Sequence, residues 1–104
     1  MVYRTAGLMD AALREIGDEE SLKVMKAFEE YAVECSILKV FSTEVLDFVV
    51  DEAVQIYGGY GYTKDYGVER YYRDAPLMII GEGTNEVMRL VIAKQLLRMP
   101  EYQL

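Results

Sequence analysis

The stretch VLDFVVDEAVQIYGG, residues 45–59, decides the fold of this chain. Residues 45–57 are apolar on nearly every side of a helix, and the glycine pair that follows is a natural helix end. A helix that is apolar on so many sides is typical of the middle of a bundle, where several neighbours cover it. The stretch therefore predicts an all-α protein whose central helix ends before Gly58.

Helical spacing continues upstream of this stretch. Apolar residues recur at three- and four-residue steps over a first helix, which should stop at Gly17. Asp18 can then cap a second helix that spans residues 19–57. Such a helix would measure roughly 58 Å, which is long for a globular protein and leaves room for a kink or break around residues 29–34.

Downstream, residues 60–67 have the composition of an aromatic and glycine-rich loop. A short third helix should follow and stop at Pro76, with residues 77–80 as the single strand-like run. The inward-facing side chains of this third helix are predicted to be Val68, Tyr71, Tyr72 and Ala75. The last helix should begin near Thr84, its N-cap, and end near Met99. The prediction for residues 1–104 is one domain, an antiparallel bundle of about four helices.

Composition excludes several classes of function. The 104 residues carry 18 acidic and 11 basic side chains, a net charge of −7, so a nucleic-acid or anionic-membrane partner is not expected. No apolar run approaches the length of a membrane span, and no signal peptide is visible. Histidine is absent, so proton chemistry must use other side chains. The single cysteine, Cys35, excludes an intrachain disulfide, fits a reducing compartment and is predicted to be a buried core thiol.

Two motifs suggest sites that the sequence does not favour. The glycines at 58, 59 and 61 fail as a dinucleotide fingerprint, because Lys64 stands where the third glycine belongs and the segment follows a helix. A glycine helix cap is the favoured interpretation. The acidic residues at 29, 30 and 34 could suggest a carboxylate metal site, but such sites in bundles also need histidine. A solvated helix face is favoured, and no metal is predicted.

Three further groups leave alternatives open. The tyrosines at 57, 60, 62, 66, 71 and 72 are interpreted as core and loop packing in preference to ligand stacking. Arg70, Arg73 and Asp74 have the spacing of an ion-pair group on one helix. Glu82 lies in a short loop before the last helix, where a carboxylate is either a helix-terminal acid or a base held by the backbone.

Three stretches in this order resemble the acyl-CoA dehydrogenase family: QIYGGYGY at 55–62, VERYYRD at 68–74 and EGTNEVMRL at 82–90. The resemblance covers the whole chain but only the family's C-terminal helical domain, so the chain is interpreted as an N-terminally incomplete fragment. Residues 34–36 are most similar to the very-long-chain branch and related bacterial enzymes.

The resemblance implies a catalytic role for Glu82. Family members are FAD-containing flavoproteins that oxidise an acyl-CoA thioester to the trans-2-enoyl thioester. Glu82 matches the base that removes the α-proton while a hydride leaves the β-carbon for flavin N5. In relatives, the thioester oxygen is polarised by the main-chain N–H of this glutamate and by a flavin hydroxyl, an oxyanion-hole arrangement.

The resemblance also assigns binding residues. Gly83 matches a substrate-contact position. The implied FAD contacts are Gln55, Ile56, Tyr57, Gly58, Gly59, Thr84, Asn85 and Glu86. The sequence departs from the family pattern at Gly81, where many relatives carry an aromatic residue, and at Glu86, where some carry glutamine.

The implied partners are an acyl-CoA substrate, an electron-transfer flavoprotein and further copies of the chain in a homo-oligomer. The implied location is the bacterial cytoplasm or the mitochondrial matrix. The 104 residues alone are expected to be inactive, because the other domains of the family hold most flavin contacts. Two alternatives stay open: a non-catalytic helical assembly module, and an oxidase-type flavoenzyme that reduces oxygen.

Overall fold

The computed structural model describes residues 1–16 and 21–99, and within those ranges it contains only helices, turns and short connections. The α-helices are α1 (Val2–Ile16), α2 (Ser21–Glu30), α3 (Ala32–Tyr57), α4 (Gly59–Tyr62), α5 (Val68–Ile80) and α6 (Asn85–Leu96). One turn of 3₁₀ helix, Lys64–Tyr66, lies between α4 and α5. The predicted all-α class is confirmed. None of the described helices is long and apolar enough to cross a membrane.

The first of two compact units contains residues 1–38 and 89–104. In it, α1 packs against α2, and the start of α3 contributes the buried Val33. The hydroxyl of Ser36, also buried, donates to the carbonyl of Ala32 one turn earlier at 2.7 Å. Polar residues on this buried face are therefore satisfied within the helix.

The second unit contains residues 39–88, which include most of α3, the short helices and all of α5. Its buried side chains come from α3 (Val40 and Val50), α5 (Ala75) and the start of α6 (Asn85). Gly61 marks a close approach of α4 to α3, because an added Cβ would lie 2.7 Å from the carbonyl oxygen of Val54. Only glycine fits there without movement of one helix.

The break expected around residues 29–34 occurs at Tyr31. The Tyr31 N–H donates to the carbonyl of Phe28, a tightened turn, and α3 then restarts with the Cys35 N–H bonded to Tyr31. The predicted long helix is therefore two helices. The predicted end before Gly58 is confirmed, since α3 stops at Tyr57. The predicted stop at Gly17 and cap at Asp18 lie outside the described residues.

The prediction for residues 60–80 was wrong in three respects. Part of the expected loop is helical, as α4 and the 3₁₀ turn. The third helix does not stop at Pro76 but continues to Ile80, so residues 77–80 are helical. Tyr71 and Tyr72 are exposed, although Ala75 is buried at 2% exposure. Proline lacks one N–H and disfavours a helical residue before it, but burial of Ala75 within the unit outweighs that local preference.

The last helix begins one residue after the predicted cap. Thr84 accepts a hydrogen bond from the Val87 N–H through its side-chain oxygen at 3.3 Å, which confirms Thr84 as the N-cap. The helix ends at Leu96, and turns follow to Met99. In total the described residues hold six α-helices and not the predicted four or so, because the predicted long helix is divided and the predicted loop contains α4.

Candidate active site

Glu82 lies in the turn that joins α5 to α6. The Gly81 N–H donates to the carbonyl of Leu77 at 2.7 Å and closes α5, and the backbone of Gly81 is extended. Glu82 then has a φ of 52° and Gly83 a φ of 93°. Two consecutive residues with positive φ turn the chain sharply, so that α6 begins only three residues later.

Glu82 is the one non-glycine residue with positive φ in the described part of the chain. For an L-residue, this left-handed conformation costs about 1–2 kcal/mol. It persists only where surrounding contacts hold it, and such residues cluster at functional sites. The Glu82 side chain is exposed, so the turn presents a carboxylate outward from a fixed backbone.

The Nζ of Lys39, on α3, binds the turn that carries Glu82. It donates to the carbonyl of Ile79 at 3.0 Å, to the carbonyl of Gly83 at 2.7 Å and to the Oδ1 of Asn85 at 2.7 Å. A lysine ammonium has three N–H donors, and each has an acceptor here. The three acceptors lie on both sides of Glu82 in the sequence, so one cation ties the two ends of the turn together.

Asn85 completes this anchor. Its side chain is 1% exposed, and its Nδ2 donates to the hydroxyl of Thr43 at 2.9 Å. The Thr43 hydroxyl donates in turn to the carbonyl of Lys39 at 2.8 Å. Lys39 and Thr43 are four residues apart and share a face of α3. The first residue of α6 is thereby fixed to the middle of α3.

The start of α6 offers main-chain donors beside the turn. The first N–H groups of a helix have no partner within the helix, and the N-terminal end carries a partial positive charge. Thr84 satisfies one of these groups, that of Val87. Glu86 is exposed in the first turn, whereas the Asn85 side chain is committed to the anchor. A ligand could contact Asn85 only through its main chain in this arrangement.

The other proposed contact segment, residues 55–59, lies at the C-terminal end of α3. All five residues are exposed, and Ile56 is 82% exposed. Gly58 has a φ of 57°, and an added Cβ at Gly58 or Gly59 would meet nothing within 4 Å. The backbone of Gly58 and Gly59 is therefore accessible to a ligand or to another chain. Along the α3 axis this segment is about 24 Å from Lys39, so the two groups of candidate residues lie beside well-separated parts of one helix, its middle and its C-terminal end.

An open groove of about 610 Å³ lies beside residue 55. Gln55, Tyr62, Lys64 and Tyr72 are among its lining residues. Nearby, the Tyr66 ring packs against Tyr57 and Tyr60, with centroid distances of 6.1 and 5.2 Å. These rings pack against one another but are not in the core, since Tyr57 is 48%, Tyr60 65% and Tyr66 54% exposed.

Two other sequence-based interpretations are corrected, those of the ion-pair group and of Cys35, while the solvated helix face at residues 29, 30 and 34 is confirmed. Arg73 pairs with Glu69 at 3.0 Å, not with Asp74, and Arg70 lies over the Tyr71 ring at 6.0 Å. Cys35 is exposed, so it does not belong to the buried face of α3. Glu29, Glu30 and Glu34 are exposed, and no group of three potential ligands close enough to hold a metal occurs in residues 1–16 and 21–99.

Sequence reasoning missed Lys39 and Thr43. The available signal was a lysine within the apolar run Ile37-Leu38-Lys39-Val40-Phe41. A charge in such a position needs a partner, but the pattern does not say which one.

A known protein family and several known proteins are similar in sequence to this chain. A family model described as "Acyl-CoA dehydrogenase, C-terminal domain" matches residues 1–97. A probable acyl-CoA dehydrogenase of Bacillus subtilis (strain 168) is 46% identical over 100 residues, which are 93% of this chain and 17% of that protein. The very long-chain specific acyl-CoA dehydrogenase of Rattus norvegicus mitochondria is 41% identical over 75 residues, 72% of this chain and 12% of that protein.

A solved structure agrees with these sequences. The crystal structure of an acyl-CoA dehydrogenase complexed with FAD from Bacillus anthracis matches with a TM-score of 0.88 and 48% identity. The match covers 93% of this chain and 17% of that one. The chain thus spans about a sixth of the length of the two Bacillus proteins and about an eighth of that of the rat protein.

Proposed function

This chain belongs to the acyl-CoA dehydrogenase family, and from that membership we propose that residues 1–104 are the C-terminal helical domain of a flavoenzyme that oxidises acyl-CoA to trans-2-enoyl-CoA. The observation that carries the proposal is the turn at Glu82. A carboxylate stands there on a backbone with positive φ, next to a helix N-terminus and anchored to α3. An acid that served only the helix dipole would need none of this fixation.

The proposed role of Glu82 is that of a general base. Its carboxylate takes the proton from the α-carbon, and the electron pair of that C–H bond becomes the second bond between the α- and β-carbons. The β-hydrogen leaves with its own electron pair. When bound, FAD supplies the acceptor for that hydride. The main-chain N–H of Glu82 is the proposed donor to the thioester oxygen, which makes the α-proton acidic enough for a carboxylate to remove.

The residues of this chain form one part of the proposed flavin-binding site. The exposed backbone of Gly58 and Gly59 allows close approach of a ligand. Thr84 and Glu86 lie at the N-terminus of α6, and main-chain N–H groups at such a position bind phosphate or hydroxyl oxygens. We assign the flavin contacts to residues 55–59 and 84–86, with Asn85 acting through its main chain, and the substrate contact to Gly83.

Because the two groups of flavin contacts are far apart along α3, they fit an extended ligand or two cofactors better than one small site. This favours an assembly in which neighbouring copies of the chain complete each site. An electron-transfer flavoprotein as acceptor, and a place in the bacterial cytoplasm or mitochondrial matrix, belong to the same proposal. The 104 residues alone are expected to lack activity.

The test is Glu82→Gln in the full-length protein that contains this domain. Glutamine keeps the shape of the side chain but cannot accept the α-proton, so reduction of bound flavin by acyl-CoA should slow by at least about 10²–10⁴-fold. Stopped-flow absorbance of the flavin measures this rate. The matched control is Glu29→Gln, an exposed carboxylate on α2, which should leave the rate unchanged.

A second measurement isolates proton removal. A thioester with α-hydrogens but no β-hydrogen cannot donate a hydride, so exchange of its α-hydrogens with deuterated water reports the base alone. The parent enzyme should catalyse this exchange and Glu82→Gln should not. Flavin reduction or exchange at the parent rate in Glu82→Gln would place the base elsewhere.

A further inference from the structure

We propose that Lys39 is a positioning residue for the reaction, acting through the Glu82 turn without touching substrate. This inference rests on the proposed role of Glu82 as the base. Lys39 is the first residue of the second unit, and its three donor bonds all remain inside that unit. The anchor is therefore internal to one compact piece of the fold.

The positions of the acceptors support a role beyond general packing. The carbonyl of Ile79 belongs to the last turn of α5, and the carbonyl of Gly83 directly follows the proposed base. Last-turn carbonyls of a helix lack partners within the helix, and a cation there is also favoured by the helix dipole. Lys39 thus stabilises both the end of α5 and the carbonyl of Gly83, the residue that directly follows the proposed base.

The third bond, from Lys39 to Asn85, fixes the start of α6 relative to α3. Asn85 is almost completely buried, and its Oδ1 accepts from Lys39 while its Nδ2 donates to Thr43. The start of α6 therefore cannot move along α3 without breaking charge-assisted hydrogen bonds, which are about twice as strong as neutral ones. Loss of the ammonium would leave the carbonyls of Ile79 and Gly83 without this donor, and the Asn85 oxygen with only the Thr43 hydroxyl, at 3.3 Å, as a neighbouring donor.

The expected consequence is a displaced carboxylate. The positive φ of Glu82 is a strained conformation, and strain relaxes when its supports are removed. A displacement of about 1 Å between base and α-carbon is enough to slow a reaction about 10²-fold. Binding of the CoA portion is expected to change little, because the three bonds of Lys39 all end within residues 79–85.

The experiment compares Lys39→Met with the parent in the full-length flavoenzyme. Methionine keeps an unbranched side chain of similar length without donors. We expect normal flavin content and a rate of flavin reduction at saturating acyl-CoA lower by about 10–100-fold. The dissociation constant of an S-alkyl-CoA, which has no carbonyl, should change by less than about threefold. Lys94→Met, an exposed lysine on α6, is the matched control and should behave as the parent.

A double mutant separates positioning from stability. If Lys39 acts through Glu82, then Lys39→Met should lower the residual rate of Glu82→Gln by less than about twofold. A purely structural lysine would lower both backgrounds by the same factor, and that result would overturn the inference. Parent-like reduction in Lys39→Met would also overturn it, while loss of rate in Glu82→Gln alone would leave the proposed function standing.

Lys39→Arg decides the matter if Lys39→Met does not fold. A planar guanidinium cannot direct three donors to acceptors that converge on one nitrogen, so the folded variant should reduce flavin at least about fivefold more slowly than the parent. A rate within about twofold of the parent would contradict the inference. If Glu82→Gln itself reduces flavin at the parent rate, the base assignment fails first, and positioning by Lys39 falls with it.

Discussion

At the scale of single residues, the turn at 82–83 holds the one pair of consecutive positive-φ residues in the described structure. Glu82 and Gly83 both have positive φ, and they differ in how that conformation is tolerated. Gly83 adopts it without penalty because it has no Cβ. Glu82 adopts it under the hydrogen bonds that hold Ile79, Gly83 and Asn85. A proposed catalytic group is thus carried by a residue whose conformation depends on its neighbours.

This difference predicts the effect of Gly83→Ala. An alanine at a φ of 93° is strained by about 1–2 kcal/mol, so the free energy of unfolding should fall by about that amount. The new Cβ would also lie 2.5 Å from the Met88 methyl carbon, although that flexible side chain can move. Urea unfolding followed by circular dichroism is the measurement.

Gly7→Ala is the control for this prediction. Gly7 lies inside α1 without positive φ, and an added Cβ meets nothing within 4 Å. Its replacement should raise stability by up to about 1 kcal/mol, through helix propensity. Equal and small changes for the two variants would argue that the turn is not strained as described.

At the scale of elements, α4 is the part of the fold that local signals described least well. Four residues cannot form a stable helix in isolation, so α4 exists because it packs on α3. The contact at Gly61 is backbone to backbone, with Val54 as the neighbour. Tyr66 adds ring contacts to Tyr57 and Tyr60 on either side of the glycine pair.

Gly61→Ala should therefore be destabilising. The added Cβ would lie 2.7 Å from the Val54 carbonyl oxygen and 3.0 Å from the Val54 Cα, and neither atom belongs to a flexible side chain. Overpacking of this kind costs about 1–3 kcal/mol. Thermal unfolding of Gly61→Ala should begin at a lower temperature than that of Gly59→Ala, where the same methyl meets nothing within 4 Å. Matching unfolding curves for the two variants would mean that α4 is not held against α3.

At the scale of the whole molecule, apolar side chains remain uncovered on α3. Phe41, Val45, Phe48 and Val49 are exposed at three- and four-residue spacing, and Phe48 is 66% exposed. Such a stripe is typical of a helix that is covered by another surface. In the proposed full-length enzyme that surface is another domain or a neighbouring copy.

The 104-residue chain alone should therefore self-associate at micromolar concentration. Sedimentation velocity should show species heavier than one chain, and Phe48→Ser should shift them toward the monomer because it removes a large apolar side chain from the stripe. Asp47→Ser, an exposed position beside it, introduces the same residue and should have little effect. A stable monomer for the parent chain would contradict the prediction, as would equal shifts for the two variants.

Local sequence patterns were enough to predict the helical class, the end of α3 and the N-cap at Thr84. These features depend on residues within one or two turns of each other, and their spacing can be read along the chain. The same local reasoning failed at Pro76 and across residues 60–67, where contacts within the unit outweighed local preference. The same reasoning predicted a buried Cys35, because periodicity along one helix does not show which of its sides the rest of the fold covers.

The motif that contains Glu82 was found from the sequence, but what holds it was not. The bonds from Lys39 to Gly83 and Asn85 join residues 44 and 46 positions apart, and no local pattern specifies such a pairing. Folding of α5 and α6 against α3 brings three acceptors around one turn within reach of a single ammonium group. The physical reason is that a lysine within an apolar run must satisfy its donors, while the acceptors available to it depend on which elements fold against that run.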